Sequence, residues 1–348
     1  MLFSAVIVTE FVCCAARLAW MADENAAGAR MVAMDVLQIV QSCEPPLERD
    51  SLSRAHWLLV FGERAFAEKA TVFEKTARSL LVQNSTASAF SVRNGLPHAL
   101  MSGRGVDGQG HQGQFLAYLS LCGAELAEPV VLGGDIFTLD GVLRDLMLET
   151  AVDGDLSWAL IAFSRYLSGT ERWVNKFDER VDLDILLRRH SSKDLEPYCR
   201  GHHHFMAFSC VASRADWAER PLHRESLQRI KKQLNERVTL LEKQLLKSDP
   251  TEDVINDMTL RTVPTEGRVV YEFGHALEWL SLHLSREDAR SEWVLRLVSR
   301  LCEAVKTEVA DLHALKRDRS ETVTWRWGNL GHASAGLGRW LRKSDVKP

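Results

Sequence analysis

An all-α fold, an α/α toroid of stacked helical hairpins, is the architecture the sequence predicts, and three observations predict it. Apolar residues recur at helical spacing along the chain, and no persuasive period-two alternation marks a half-buried strand. About ten to twelve such stretches alternate with turn-rich segments, which suits one closed barrel of hairpins. The pair Gly-His occurs at Gly110-His111, Gly201-His202, Gly274-His275 and Gly331-His332, where composition gives roughly one by chance. Each pair precedes a helix-compatible apolar run. If the inner helices of a barrel run parallel, four histidines at helix starts line one cup. The intervals of 91, 73 and 57 residues leave room for one or two hairpins between them.

Residues 1–22 are apolar, interrupted by Glu10 and Arg17. A membrane span needs about 20 apolar residues, and a central acid costs about 2.5–3.5 kcal/mol. A signal peptide wants a basic start, which this segment lacks. Residues 1–28 are therefore set apart as an anchor, an export signal or a mis-called start, with Met21 and Met31 as alternative starts. Residues 29–343 are expected to form a single α/α barrel domain. A mis-called start implies a cytoplasmic protein; otherwise the chain is exported or membrane-anchored, with membrane contact only through residues 1–22.

Residues 29–42 read as the first core helix, stopped at Cys43-Glu44-Pro45-Pro46 because proline cannot continue it. A second runs over 53–61 to Gly62, and a third over 66–83. Residues 84–109 read as one long loop, most turn-rich at Gly103-Arg104-Gly105-Val106-Asp107-Gly108-Gln109-Gly110; such loops are usually functional or disordered. Helices follow over 112–124, from Thr138 or Asp140 to Leu148, and over 155–167, 182–189 and 202–211. Val130–Ile136 reads as a linker, and Trp173 and Asn175 fall in a loop. Leu227, Ile230, Leu234, Val238, Leu241 and Leu245 recur every three or four residues, an amphipathic outer helix over 222–246. A polar loop over 248–267 precedes a helix from Gly274-His275 to Leu284, another over 287–315, and the final Gly331-His332.

The net charge is −4, with acids and bases interspersed. No Lys/Arg stripe interleaves with aromatics, so nucleic acid is not an expected partner. Seven cysteines without a Cys-x-x-Cys pair argue against a zinc ribbon and a disulfide framework and for buried thiols. Ten tryptophans serve as core residues or as faces for sugar rings; Trp158 and Trp279 are the candidates for substrate contact.

Histidine chemistry is the strongest expectation. His275 and Glu278 lie three apart and share a helix face. A helix start lowers the pKa of an imidazole, which leaves His275 neutral and able to accept a proton. His111 or His332 then acts as the opposing acid. Asp107 precedes His111 by four residues and would orient it, while Gln112 and Gln114 sit at the rim. This run is not a phosphate loop, since no Gly-Lys-Ser/Thr follows it. Cys199 and His202-His203-His204 suggest zinc, but adjacent helical residues point about 100° apart, so the three histidines cannot share one ion. No metal and no cofactor is expected, and His202 is assigned to substrate. Carboxylates for glycoside hydrolysis exist at Asp107, Glu149, Asp155, Glu272 and Glu278, unpaired by spacing alone.

The stretch Gly274-His275-Ala276-Leu277-Glu278-Trp279 resembles the Gly-His-x-x-Glu-Trp signature of the N-acylglucosamine 2-epimerase and six-hairpin glycosidase-like superfamily. The chain as a whole resembles bacterial α/α-barrel proteins of no assigned activity. The resemblance implies an (α/α)6 barrel in which His275 moves a proton on the carbon beside the carbonyl of a ring-opened sugar. Glu278 would orient a hydroxyl or the imidazole, and His332 would match a second, late histidine. The family's early arginine motif is missing here. The expected function is thus a carbohydrate-active sugar epimerase or isomerase acting on a small molecule or glycan. A glycosidase or lyase on the same barrel, or a non-catalytic glycan- or lipid-binding toroid, stays open. Charged groups converging with the histidines favour the enzyme.

Overall fold

The computed structural model describes residues 24–43, 50–63, 65–68, 71–83, 89–102, 108–192, 201–220, 223–245, 265–314 and 321–345. Among the described residues it is 70% helical, with 14 helices and only small sheets. Helix α1 covers residues 24–41, so the boundary expected at residue 28 falls inside a helix, and Ala26 is already buried. Residues 1–22 and Asp107 lie outside the described residues. Among those described, no helix is long and apolar enough to cross a membrane.

Six helices make a closed circuit of contacts: α2 (Ser51–Leu58), α5 (Gln114–Leu121), α7 (Ser157–Tyr166), α9 (His202–Ala212), α12 (Thr265–His283) and α14 (Glu321–Ser344). Each packs on the next, and α14 packs back on α2. Their composition explains the placement. Helix α7 is buried from Ser157 through Ser164 and α9 from His202 through Val211, as expected of helices with no strongly polar face. Between them in sequence come α4 (Thr71–Leu81), α6 (Leu139–Glu149), α8 (Leu183–Ser192), α11 (Arg224–Leu245) and α13 (Glu292–Ala314). Helix α11 buries Leu227, Ile230, Leu234, Leu241 and Leu245 and turns its Lys/Arg/Glu face outward. Short helices α3 (Ala65–Glu68) and α10 (Ala215–Ala218) complete the set. One apolar core runs from Ala29 to Trp340.

The structure corrects the expectation of a strand-free chain. Strands β2 (Phe90–Arg93) and β3 (Leu96–Ala99) form a hairpin inside the stretch read as a loop. Its turn is Asn94-Gly95 with φ of 52° and 77°, the type I′ geometry that matches strand twist. The presumed linker at 130–136 is a second hairpin, β4 (Pro129–Leu132) with β5 (Asp135–Thr138), and the short β1 (Val82–Gln83) joins β4 in parallel. Trp173 lies in a third hairpin, β6 (Arg172–Val174) with β7 (Arg180–Asp182), and Asn175 begins its loop. These strands have two to four residues each, too few for alternation to show in a periodicity window. The legible signals were the Asn-Gly and Gly-Gly dipeptides.

The larger correction concerns the Gly-His pairs. Of the four histidines only His202 begins a helix, capped by Gly201 with φ 76°. His111 lies in the turn before α5, while His275 and His332 sit in the middle of α12 and α14. Gly274 and Gly331 serve close approach. A Cβ on Gly274 would sit 2.9 Å from the Cα of Ala333, and one on Gly331 would sit 2.3 Å from the carbonyl oxygen of His56. Both distances are shorter than packed atoms tolerate, so α14 can lie against α12 and α2 only where these side chains are absent.

Candidate functional site

Close crossing of α12 on α14 stacks His275 beside His332, with ring centres 4.0 Å apart. From α9, His203 faces both, at 5.4 Å from His275 and 6.1 Å from His332. His111 follows at 5.4 Å from His203, and His56 of α2 lies 5.2 Å from His332. His202 stands 5.8 Å from His275. The histidines of all four Gly-His pairs therefore meet in one cluster, together with His56 and His203; His202, His203, His275 and His332 are buried, and His56 and His111 are partly so.

Carboxylates and amphipathic rings fix these imidazoles. His332 Nδ1 donates to Glu278 Oε2 at 2.7 Å, and Glu278 Oε1 accepts from Arg339 Nη1 at 3.2 Å. Arg339 in turn donates from Nε to Glu63 at 2.8 Å. Burial pushes the Glu278 carboxyl up, but His332 and Arg339 outweigh it and hold the group below its ordinary value. His275 Nδ1 donates to the Tyr271 carbonyl at 2.8 Å, which leaves Nε2 with the lone pair. His111 Nδ1 donates to Asp155 Oδ2 at 3.0 Å, and this dyad is the most open part of the cluster, with side-chain exposures of 23% and 33%. His203, His275 and His332 are 7%, 4% and 2% exposed.

The pKa of His275 is indeed depressed, but not by a helix terminus. Burial lowers it well below the ordinary histidine value, and His332 and His203 add to the effect. His203 is lowered for the same reason. Burial, then His332, brings His56 down to about 3. Each is neutral when folded and chargeable when unfolded, so the unfolded chain binds the extra protons. Stability is then full above the unfolded value of about 6.5 and falls as pH drops below it, by up to about 1.4 kcal/mol per pH unit for each group. Urea midpoints of metal-free protein should be flat from pH 8 to 7 and decline steeply from pH 6 to 5. A midpoint unchanged down to pH 5 would contradict the buried neutral cluster.

The remaining expected site residues divide by role. His202 is satisfied inside the protein: Nε2 donates to Glu272 at 3.1 Å and Nδ1 accepts from Trp279 Nε1 at 3.3 Å. Those two residues therefore support the wall of the cluster. Trp158 does border it, with its ring 4.5 Å from His203 and 4.9 Å from Tyr118. Gln114 anchors the turn, its Oε1 accepting from the backbone N–H of Gly110 and His111, and its Nε2 donating to Tyr118 at 2.7 Å. Gln112 lines a cavity of about 430 Å³ that also holds His98, Asp145 and Lys176 and none of the clustered histidines.

Sequence reasoning missed four members: His56, Tyr118, His203 and Arg339. The Tyr118 hydroxyl lies 2.7 Å from His56 Nε2 and 3.3 Å from His332 Nε2, joining α2, α5 and α14. His56 follows no glycine. His203 was hidden within a run of three histidines, and nothing local marks Arg339. One signal was available: Tyr118 is a polar-tipped ring in the otherwise apolar run of α5.

The cluster can transfer protons through the His111–Asp155 dyad. His203, His275 and His332 place one nitrogen each within 4.8 Å of the others, so they can also hold a metal ion. Glu278 is committed on both oxygens. No family model, curated protein or solved structure matches this chain.

Proposed function

We propose that this protein is a proton-transferring enzyme of the sugar epimerase or isomerase type, built on an α/α toroid. The circuit of six buried helices, alternating in sequence with amphipathic ones, supports the toroid. The observation that carries the function is the convergence of imidazoles backed by carboxylates: His111 by Asp155, His332 by Glu278 and His202 by Glu272. A non-catalytic glycan or lipid site has no need of so many titratable groups, each of which costs desolvation. A glycosidase needs one free acid and one free base or nucleophile, whereas these carboxylates are engaged with imidazoles.

His111 is the base in this reading rather than His275. It borders the more exposed side of the cluster, Asp155 orients it through Nδ1, and Nε2 is the nitrogen assigned to take the proton from the carbon beside a carbonyl. An acid that orients the imidazole is the usual partner in such chemistry. His275 and His332 stand deeper in the cluster, each with Nδ1 engaged and Nε2 presenting a lone pair.

The test is a solvent-deuterium exchange screen over reducing sugars. Wild type should place deuterium beside the carbonyl of at least one sugar, and His111→Gln should slow this by about 10²–10⁴-fold, the usual worth of a general base. His275→Ala should also abolish turnover with the fold intact. No exchange by wild type on any sugar, or equal exchange by His111→Gln, would remove the reading.

A further inference from the structure

We infer that His203, His275 and His332 form a binding site for one divalent first-row transition-metal ion. One nitrogen from each lies within 4.8 Å of the other two. They come from α9, α12 and α14, so the objection that adjacent histidines diverge does not apply; only His203 of the triple run contributes. The Tyr271 carbonyl and the Glu278 carboxylate each accept from an Nδ1–H, at 2.8 Å from His275 and 2.7 Å from His332. Both rings therefore offer Nε2. A carbonyl or carboxylate behind the outer nitrogen is the usual support of a metal-bound histidine, fixing its tautomer and raising its basicity.

Among the described residues no hydrogen bond reaches His203 or the Nε2 of His275, and burial crowds their lone pairs together. A cation relieves that crowding. Three neutral nitrogens without thiolate suit zinc, iron(II), cobalt or nickel, whereas magnesium and calcium want oxygen. With metal–nitrogen bonds of about 2.0–2.1 Å, tetrahedral ligands stand about 3.4 Å apart, so the rings close by roughly 1 Å on binding. Two polar groups border the fourth position. The Tyr118 hydroxyl is 3.3 Å from His332 Nε2. The indole N–H of Trp158, whose ring lies 4.5 Å from His203, is buried with no acceptor. A buried donor of this kind is completed by a bound oxygen.

The site itself is independent of the sugar reading; its chemical role rests on that reading. With a carbonyl oxygen on the ion, the C–H bond beside it breaks and its electron pair forms the C=C of an enediolate. The negative charge settles on the metal-bound oxygen, and the proton moves to His111 Nε2. Protonation of the same carbon on its opposite face by a second donor, with the proton on His111 passing to solvent, gives the epimer; return of the proton from His111 to the neighbouring carbon, with the hydroxyl proton passing from one enediolate oxygen to the other, gives the isomer.

The experiment uses the full-length chain without an affinity tag. Elemental analysis should find about one transition-metal ion per chain. After chelator stripping, calorimetry should show one Zn²⁺ rebinding more tightly than about 1 μM, and Co²⁺ should give the visible absorption of a tetrahedral site. His203→Ala and His275→Ala should each weaken Zn²⁺ by at least about 100-fold with the helical circular dichroism kept. Glu278→Gln, of unchanged size, should weaken it by about 10–100-fold and carries the test if the alanine variants misfold. His283→Ala, outside the cluster, should bind as wild type. A folded, stripped protein that takes up none of these ions below about 100 μM, or His275→Ala binding unimpaired, overturns the site. Metal binding without sugar exchange leaves the site standing and removes its sugar role; exchange undiminished in stripped protein removes the ion's catalytic role.

Discussion

Arg339→Met is expected to destabilise the protein by about 3–5 kcal/mol, the cost of leaving a buried charge without its partner. Arg339 is 5% exposed on its side chain and stands between Glu278, which is 4% exposed, and the half-exposed Glu63. Burial alone lowers its pKa, and the two carboxylates more than reverse that. Removing the guanidinium leaves the Glu278 carboxylate with only His332 to answer its charge. Adding Glu278→Gln should recover part of the loss, because the orphaned charge goes with it, and the double-mutant cycle then reports the coupling. Equilibrium urea unfolding measures all four proteins. A single Arg339→Met variant within about 0.5 kcal/mol of wild type would mean that the pair is solvated, not buried.

Gly331→Ala should cost about 3 kcal/mol, at the upper end of overpacking in a close-packed core. Helix propensity alone gives the opposite sign, since alanine is favoured over glycine in a helix by about 1 kcal/mol. The decisive quantity is the 2.3 Å from the built Cβ to the carbonyl oxygen of His56, a backbone atom with no rotamer to yield. Gly28 in α1 is the control: nothing lies within 4 Å of its built Cβ, so Gly28→Ala should stabilise by about 0.5–1 kcal/mol. The variant Gly331→Ala should also spread α2 from α14 and weaken the contact of Tyr118 with His56 and His332. Equal stabilisation by both substitutions would contradict the tight crossing.

These two sites show how far the sequence was readable. The helical character and the register of α11 follow from the spacing of Leu227, Ile230 and Leu234, because an amphipathic helix writes its buried face into the chain. The recurrence of Gly-His did point to one shared place, but the reason assigned to it, a helix start, holds only for His202: His111 precedes its helix, and His275 and His332 lie in mid-helix. A glycine before a histidine reads equally as a helix start or as a contact face, and only the neighbouring helix decides which. Hence α12 begins at Thr265 and α14 at Glu321, well before the pairs. Glu278 was expected beside His275 and is spent on His332 instead, a partner 54 residues away. His56, Tyr118 and Arg339 were illegible for the same cause: their partners are distant in sequence, and a single chain records no distances. Strands of two to four residues escaped because their hydrogen bonds, not their side-chain pattern, define them.

The chemistry of the site depends on one arrangement, imidazoles from α9, α12 and α14 meeting in a water-poor cluster. Long-range ¹H–¹⁵N NMR with through-space contacts, on metal-free protein at neutral pH, observes it directly, with assignments from single His→Gln variants. The expected result is a neutral His275 protonated on Nδ1, with ring-proton contacts from His275 to both His332 and His203. A His275 ring that shows neither contact and exchanges its protons as a solvated histidine does would contradict the account.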